Sequence, residues 1–117
     1  MEISMKNIVV FVKDQEIARK FYVDQLGLPL GQKSQMMMEF FPGTGTQFGV
    51  SVALTEEAMK LVGRHTGITF RVPEIVDFCK KLSAEGVSFA EPLEVSPWGK
   101  MAVVSDPDGN LFALVDR

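Results

Sequence analysis

The sequence predicts an α+β fold in which one order of elements, strand–helix–strand–strand–strand, is used twice. Three observations predict it. Apolar residues alternate with others in eight short stretches, while two longer stretches carry them at helical spacing. The pattern returns at a nearly constant offset: Val12 and Val72, each closing a strand before a helix, are 60 positions apart, and Gly27 and Gly86, each ending a helix, are 59 apart. Finally, Met101–Val115 reads as two apolar strands around Asp106-Pro107-Asp108-Gly109-Asn110. There Asp106 can accept backbone N–H groups, Pro107 presets φ, and Gly109 is free to take φ > 0. A ferredoxin-like sandwich would use fewer strands, and a doubly wound domain would need more helices between them.

In chain order, Lys6–Val12 is a strand with Ile8, Val10 and Val12 on one side and Asn7, Val9 and Phe11 on the other. Both sides are mostly apolar, so both are expected to be covered. Asp14 is the expected N-cap of a helix whose stripe is Ile17, Ala18, Phe21, Tyr22 and Leu26, closed by Gly27. Leu28–Gln32 is a short Pro-containing edge strand and Met36–Phe41 a fuller one. Pro42-Gly43-Thr44-Gly45 turns the chain into Gln47–Leu54, where Val50, Val52 and Leu54 oppose Gly49, Ser51 and Ala53. Thr55 caps a short helix over 58–62 with an acidic first turn, ended by Gly63. Gly67–Val72 starts the second half, with His65 assigned to the linker before it. Pro73 opens a helix that buries Ile75, Phe78, Cys79 and Leu82, and Gly86 ends it. Val87–Val95 is extended but interrupted by Pro92, and the hairpin completes the count.

Composition bounds the function. The 117 residues are 46% hydrophobic and 23% charged, as in a globular chain able to bury its own core. A net charge of −3 offers no basic footprint for nucleic acid, which is not expected as a partner. No apolar run is long enough for a membrane span, and Met1–Lys6 has no signal-peptide core, so neither membrane association nor export is expected. One cysteine, Cys79, cannot form an internal disulfide; it fits a reducing cytoplasm and a packing role.

Three features together resemble the glyoxalase/bleomycin-resistance/dioxygenase superfamily, also called vicinal oxygen chelate proteins. They are the opening Val12-x₈-Phe21-Tyr22-x₃-Leu26-Gly27, the pair Trp98-Gly99, and Asp106-Pro107-Asp108-Gly109-Asn110, and they span essentially the whole chain. The resemblance implies one domain over 1–117, made of two βαβββ modules (1–54 and 66–117) joined by a helical linker (55–65). It further implies a curved mixed eight-stranded sheet with helices on its convex face, a ligand on the concave face, and a homodimer. The more uniformly apolar set should then face the helices: Ile8, Val10, Val12, Val50, Val52, Leu54, Ile68, Phe70, Val72, Phe112 and Leu114. The opposite set is smaller and holds the polar residues of these strands, as a cavity lining requires.

Metal-dependent relatives place one ligand on each of four strands. Carried over, these positions fall on Asn7, near Ala53, on Gly67 and on Ala113, where three residues have no donor and the fourth only a neutral amide. No metal and no cofactor are therefore expected. His65, Glu39, Glu94 and Arg71 are isolated ionisable groups, and no nucleophile–base pair stands out. The expectation is a small-molecule binding protein that sequesters a drug or metabolite at a dimer interface. Its ligand-binding residues are Asn7, Val9, Phe11, Ser51, Ala53, Thr69, Arg71, Trp98, Met101 and Ala113. Trp98 offers a stacking face, and Met36, Met37, Met38 and Met101 an adaptable wall. The alternative is a lyase or isomerase with a re-sited or absent metal, and a third reading is a protein-interaction module.

Overall fold

Each half of the chain builds one four-stranded sheet, and the two sheets share one strand order. The computed structural model describes Met1–Arg117, which divide into two units, Met1–Val62 and Gly63–Arg117. The first contains β1 (Asn7–Val12), α1 (Gln15–Arg19) continuing as a π-helical segment (Lys20–Gln25), β2 (Leu30–Lys33), β3 (Met37–Phe40), β4 (Gln47–Val52) and α2 (Glu56–Met59). The second contains β5 (His65–Arg71), α3 (Ile75–Ala84), β6 (Ser88–Ser96), β7 (Gly99–Ser105) and β8 (Leu111–Val115). The sheet orders are β1-β4-β3-β2 and β5-β8-β7-β6. In both, first and fourth strands run parallel and the remaining pairs antiparallel. The α+β fold with two βαβββ modules is therefore observed, and β2 is an edge strand as its Pro29 neighbour suggested.

Local chemistry explains most element ends. Asp14 caps α1 by accepting the Ile17 N–H at 3.0 Å, and Thr55 caps α2 by accepting that of Ala58 at 3.0 Å. Gly27 (φ 71°) and Gly86 (φ 84°) supply the left-handed residue that closes each main helix. The first helix departs from expectation by widening. Leu26 N–H bonds Phe21 C=O at 2.8 Å, an i→i+5 spacing, so the neighbours Phe21 and Tyr22 are both buried, with Ala18 and Leu26. Ile17 falls at the margin of this stripe and is exposed, not buried as expected.

In the first unit Tyr22 meets Phe40 and Phe48 with ring centroids 6.2 and 5.9 Å apart, which closes the helix-covered face of that sheet. Val10, Val12, Met38 and Val50 complete its core. In the second, Ile75, Cys79 and Leu82 of α3 are buried with Ala102, Val104, Phe112 and Leu114, and Phe70 stacks on Phe112 at 5.4 Å. Phe78 is only half-buried, with the Lys81 ammonium 5.5 Å from its ring centre.

Several expected boundaries shift for physical reasons. Ile8 is exposed at the start of an edge strand, and Leu54 is 68% exposed because the chain leaves the sheet after Val52. Pro73 lies before the N-cap Glu74, not in the first helical turn. The second short helix spans Glu56–Met59, ahead of the expected 58–62. The strand around Pro92 does not break: β6 absorbs it through register shifts, which an edge strand tolerates. β5 begins at His65, so His65 lies on a strand instead of in the linker, and a second register shift accommodates Gly67 at φ 74°.

Candidate functional site

The face of each sheet away from its helix is the only place where the expected ligand-binding residues gather. In the first unit, strand register aligns Val9, Gly49, Glu39 and Gln32 in one row and Phe11, Ser51 and Met37 in the next. Directly paired residues share a sheet face, so these seven form one open surface. Val9, Phe11, Ser51 and Met37 are half-buried, and Asn7 pairs with Gln47 at the same face's edge. Ala53 lies just past β4, held where its N–H bonds Val12 C=O at 2.9 Å.

Gly49 shapes this surface. A Cβ there would stand 2.6 Å from the Met37 methyl and 3.3 Å from Val9 Cγ2. The centre of the face is thus a depression whose floor is backbone and whose filling is the end of a flexible thioether. Of the three consecutive methionines, Met37 faces this way, Met38 is wholly buried in the core, and Met36 is exposed before β3. Phe40 belongs to the core, whereas Phe41 adopts φ 63° and ends the strand.

In the second unit Thr69, Ala113, Val103 and Glu91 share one row and Arg71, Val115, Met101 and Glu94 the next. Thr69, Arg71 and Met101 are exposed, and Ala113 is half-buried between Thr69 and Val103. Trp98 does not join either row. It sits at the tip of the β6–β7 hairpin, 84% exposed, where its N–H donates to Ser96 Oγ at 3.2 Å. It therefore does not form the floor of the open face.

The Asp106–Asn110 motif, by contrast, is structural. Asp106 Oδ1 accepts the N–H groups of Asp108 (2.9 Å) and Asn110 (2.8 Å), and its Oδ2 accepts Asn110 Nδ2 at 2.9 Å. Asn110 Oδ1 in turn accepts Gly63 N–H at 3.0 Å and Arg64 N–H at 3.4 Å. Both side chains are buried, at 3% and 0% exposure, and every polar atom is satisfied. The network pins the start of β5 to the β7–β8 turn.

The positions onto which the resemblance carries the metal ligands fall on Asn7, near Ala53, on Gly67 and on Ala113. Methyl groups and a hydrogen cannot coordinate an ion, and within neither unit do three His, Cys, Asp or Glu side chains come together. This donor set does not fit a divalent metal. Within the second unit His65 and Arg71 do not come together. His65 and Arg71 stand at opposite ends of β5, about 20 Å apart at strand spacing. His65 Nδ1 accepts the Gly67 N–H at 3.1 Å, which occupies one ring nitrogen. Glu39 is half-buried on the open face of the first sheet. That placement was not readable locally, because it depends on which strands flank β3.

Comparison with known proteins gives the family. A family model described as Glyoxalase/Bleomycin resistance protein/Dioxygenase superfamily matches residues 4–114. A solved structure from that superfamily, of Sphaerobacter thermophilus DSM 20745, is 33% identical with a TM-score of 0.80, and 98% of each chain is covered. TnmS3, an antibiotic binding protein from Streptomyces sp. CB03234, is 30% identical with a TM-score of 0.77, over 98% of this chain and 97% of its own. The uncharacterized protein YetH of Bacillus subtilis (strain 168) is 25% identical over 116 residues, 92% of each chain.

Proposed function

Because the chain belongs to the glyoxalase/bleomycin resistance protein/dioxygenase superfamily, we propose that it binds a small organic molecule on the open faces of its sheets and releases it unchanged. The observation that carries this reading is the asymmetry of each sheet. One face is closed by aromatic rings and aliphatic side chains, while the other presents Gly49, Ser51, Thr69 and Ala113 among Val9, Phe11, Met37 and Met101. On each sheet, small residues leave room for a guest and a neighbouring flexible thioether can repack around its shape. The similarity to an antibiotic binding protein supports a drug or metabolite as that guest. A donor-poor set at Asn7, Ala53, Gly67 and Ala113 supports binding over metal-assisted turnover.

The proposal includes a homodimer, with Trp98 as an aromatic contact at the rim of the ligand site. An indole brings a large apolar face with few rotors to order. Trp98 is the single tryptophan and is exposed, so its fluorescence reports on the site. Titration with a panel of aromatic natural-product antibiotics should shift its emission to the blue for at least one, and mass spectrometry should recover that compound intact. Chemical conversion of the bound compound, or emission and melting temperature unmoved by the whole panel, would overturn the reading. Sedimentation analysis checks the dimer separately.

A further inference from the structure

At the β1-start end of the first unit's open face lies a groove of about 450 Å³, lined by Lys6, Gly31, Gln32, Glu39, Pro42, Gly45 and Gln47. Its volume is within the range of small-molecule sites. Its lining is unlike the rest of that face: a lysine, a glutamate and two glutamines border it where Val9, Gly49 and Met37 give way to polar residues.

The walls are set by backbone contacts. A Cβ at Gly31 would come within 3.1 Å of Pro42 Cβ and 3.3 Å of Glu39 C=O, so the absence of a side chain lets the β3–β4 turn close against β2. Gln47 N–H bonds Lys6 C=O at 3.1 Å, and Thr46 Oγ1 donates to Met5 C=O at 2.9 Å, which holds the Lys6 segment against β4.

The charges themselves are unspent. Glu39 is half-buried in mid-strand, and its cross-strand neighbours are Gly49 and Gln32, neither of which is cationic. Neither Glu39 nor Lys6 takes part in an ion pair or side-chain hydrogen bond, although both line the same groove. A carboxylate drawn partly out of water gains most from a cationic partner, and no cationic side chain stands within ion-pair distance of Glu39. A purely cationic guest would meet Glu39 but be repelled by Lys6, and a purely anionic one the reverse. The two carboxamides can each donate and accept, which suits an amide bond between the charged ends.

We propose that this groove binds a small zwitterion of peptide type, its ammonium on Glu39, its carboxylate on Lys6 and its amide between Gln32 and Gln47. The groove lies at the polar end of the first sheet's open face, but none of its side chains is among the contacts named for the function above, and it does not depend on that reading.

The test is an NMR titration of the full-length isotope-labelled chain with glycylglycine, N-acetylglycylglycine and glycylglycinamide. Glycylglycine should move the backbone amide signals of Gly31, Gly45 and Gln47 in a saturable way. Blocking either end should weaken binding about three- to tenfold. Glu39→Gln should abolish the preference over the acetylated probe alone, and Lys6→Met the preference over the amidated probe alone. Equal response to all three probes, no response at those amides, or variants that leave the preferences intact would each overturn the proposal. These probes carry no aromatic surface, so Trp98 emission stays constant during the titration, and a negative result here leaves the antibiotic titration to stand or fall by itself.

Discussion

The two turns that join the third strand of a sheet to its fourth are built in opposite ways. In the second unit the turn is buried polar structure: Asp106 and Asn110 bond each other, and Asn110 reaches across to the N–H groups of Gly63 and Arg64. In the first unit the corresponding turn, 41–46, is mostly exposed and is held by Thr44 Oγ1 on the C=O groups of Phe41 (2.7 Å) and Thr46 (2.9 Å). One topology thus carries a fixed corner and an adaptable one, and the adaptable one borders the polar groove. Buried polar networks specify one arrangement because any change leaves a donor unsatisfied, whereas water can replace a partner in an exposed turn.

The largest break in that comparison should come from Asn110→Ala. It removes the acceptor of the part-buried Gly63 and Arg64 N–H groups and the buried donor to Asp106 Oδ2, and we expect a loss of about 3 kcal/mol in urea unfolding. A loss below about 1 kcal/mol would mean that the corner is not fixed by this network.

Gly63→Ala against Gly43→Ala sharpens the point. Both glycines have positive φ (80° and 87°), so both substitutions carry the left-handed penalty of about 1 kcal/mol. Only at Gly63 would the new Cβ also press on backbone, 2.7 Å from Asp108 C=O, while Gly43 has open space. The Gly63 variant should therefore be less stable than the Gly43 variant by a further amount of about 1–3 kcal/mol.

Cys79 gives an independent readout of the same unit. Burial raises its thiol pKa, so the native state holds the unreactive thiol. The sign follows: this neutral form contributes stability below the pKa of the unfolded thiol, and the contribution is lost as pH rises through the folded one. Alkylation at neutral pH should be slow in the native chain, faster in Gly63→Ala, and little changed in Gly43→Ala.

The smallest effect belongs to Thr44→Val, which removes one exposed hydroxyl whose proton is shared by the Phe41 and Thr46 C=O groups; we expect no more than about 0.5 kcal/mol. Its amide signals around Gly45 should broaden even so, because the turn loses its clasp.

What could be read from sequence was what is decided locally. The caps at Asp14 and Thr55, the closing glycines 27 and 86, and the last hairpin each follow from a few adjacent residues, and each is found in place. The widened turn after Arg19 has no such local sign, and it shifted the buried stripe away from Ile17. His65 was misplaced because a glycine with positive φ two residues later hides the continuity of β5. The candidate site was legible as alternation, which assigned Val9, Phe11 and Ser51 to the open face. Its polar end was not, since Glu39, Gln32, Lys6 and Gln47 meet only through strand order.

The Lys20–Gln25 segment has a further consequence, for chain length. Its i→i+5 bonding fits one residue more into a turn than regular winding would. Deleting Val23 would let the segment rewind as a regular α-helix, leaving Phe21 and Leu26 four positions apart and still on one face. The stretch between the aromatic pair and the closing glycine can therefore shorten by one residue without turning the buried stripe away from its sheet.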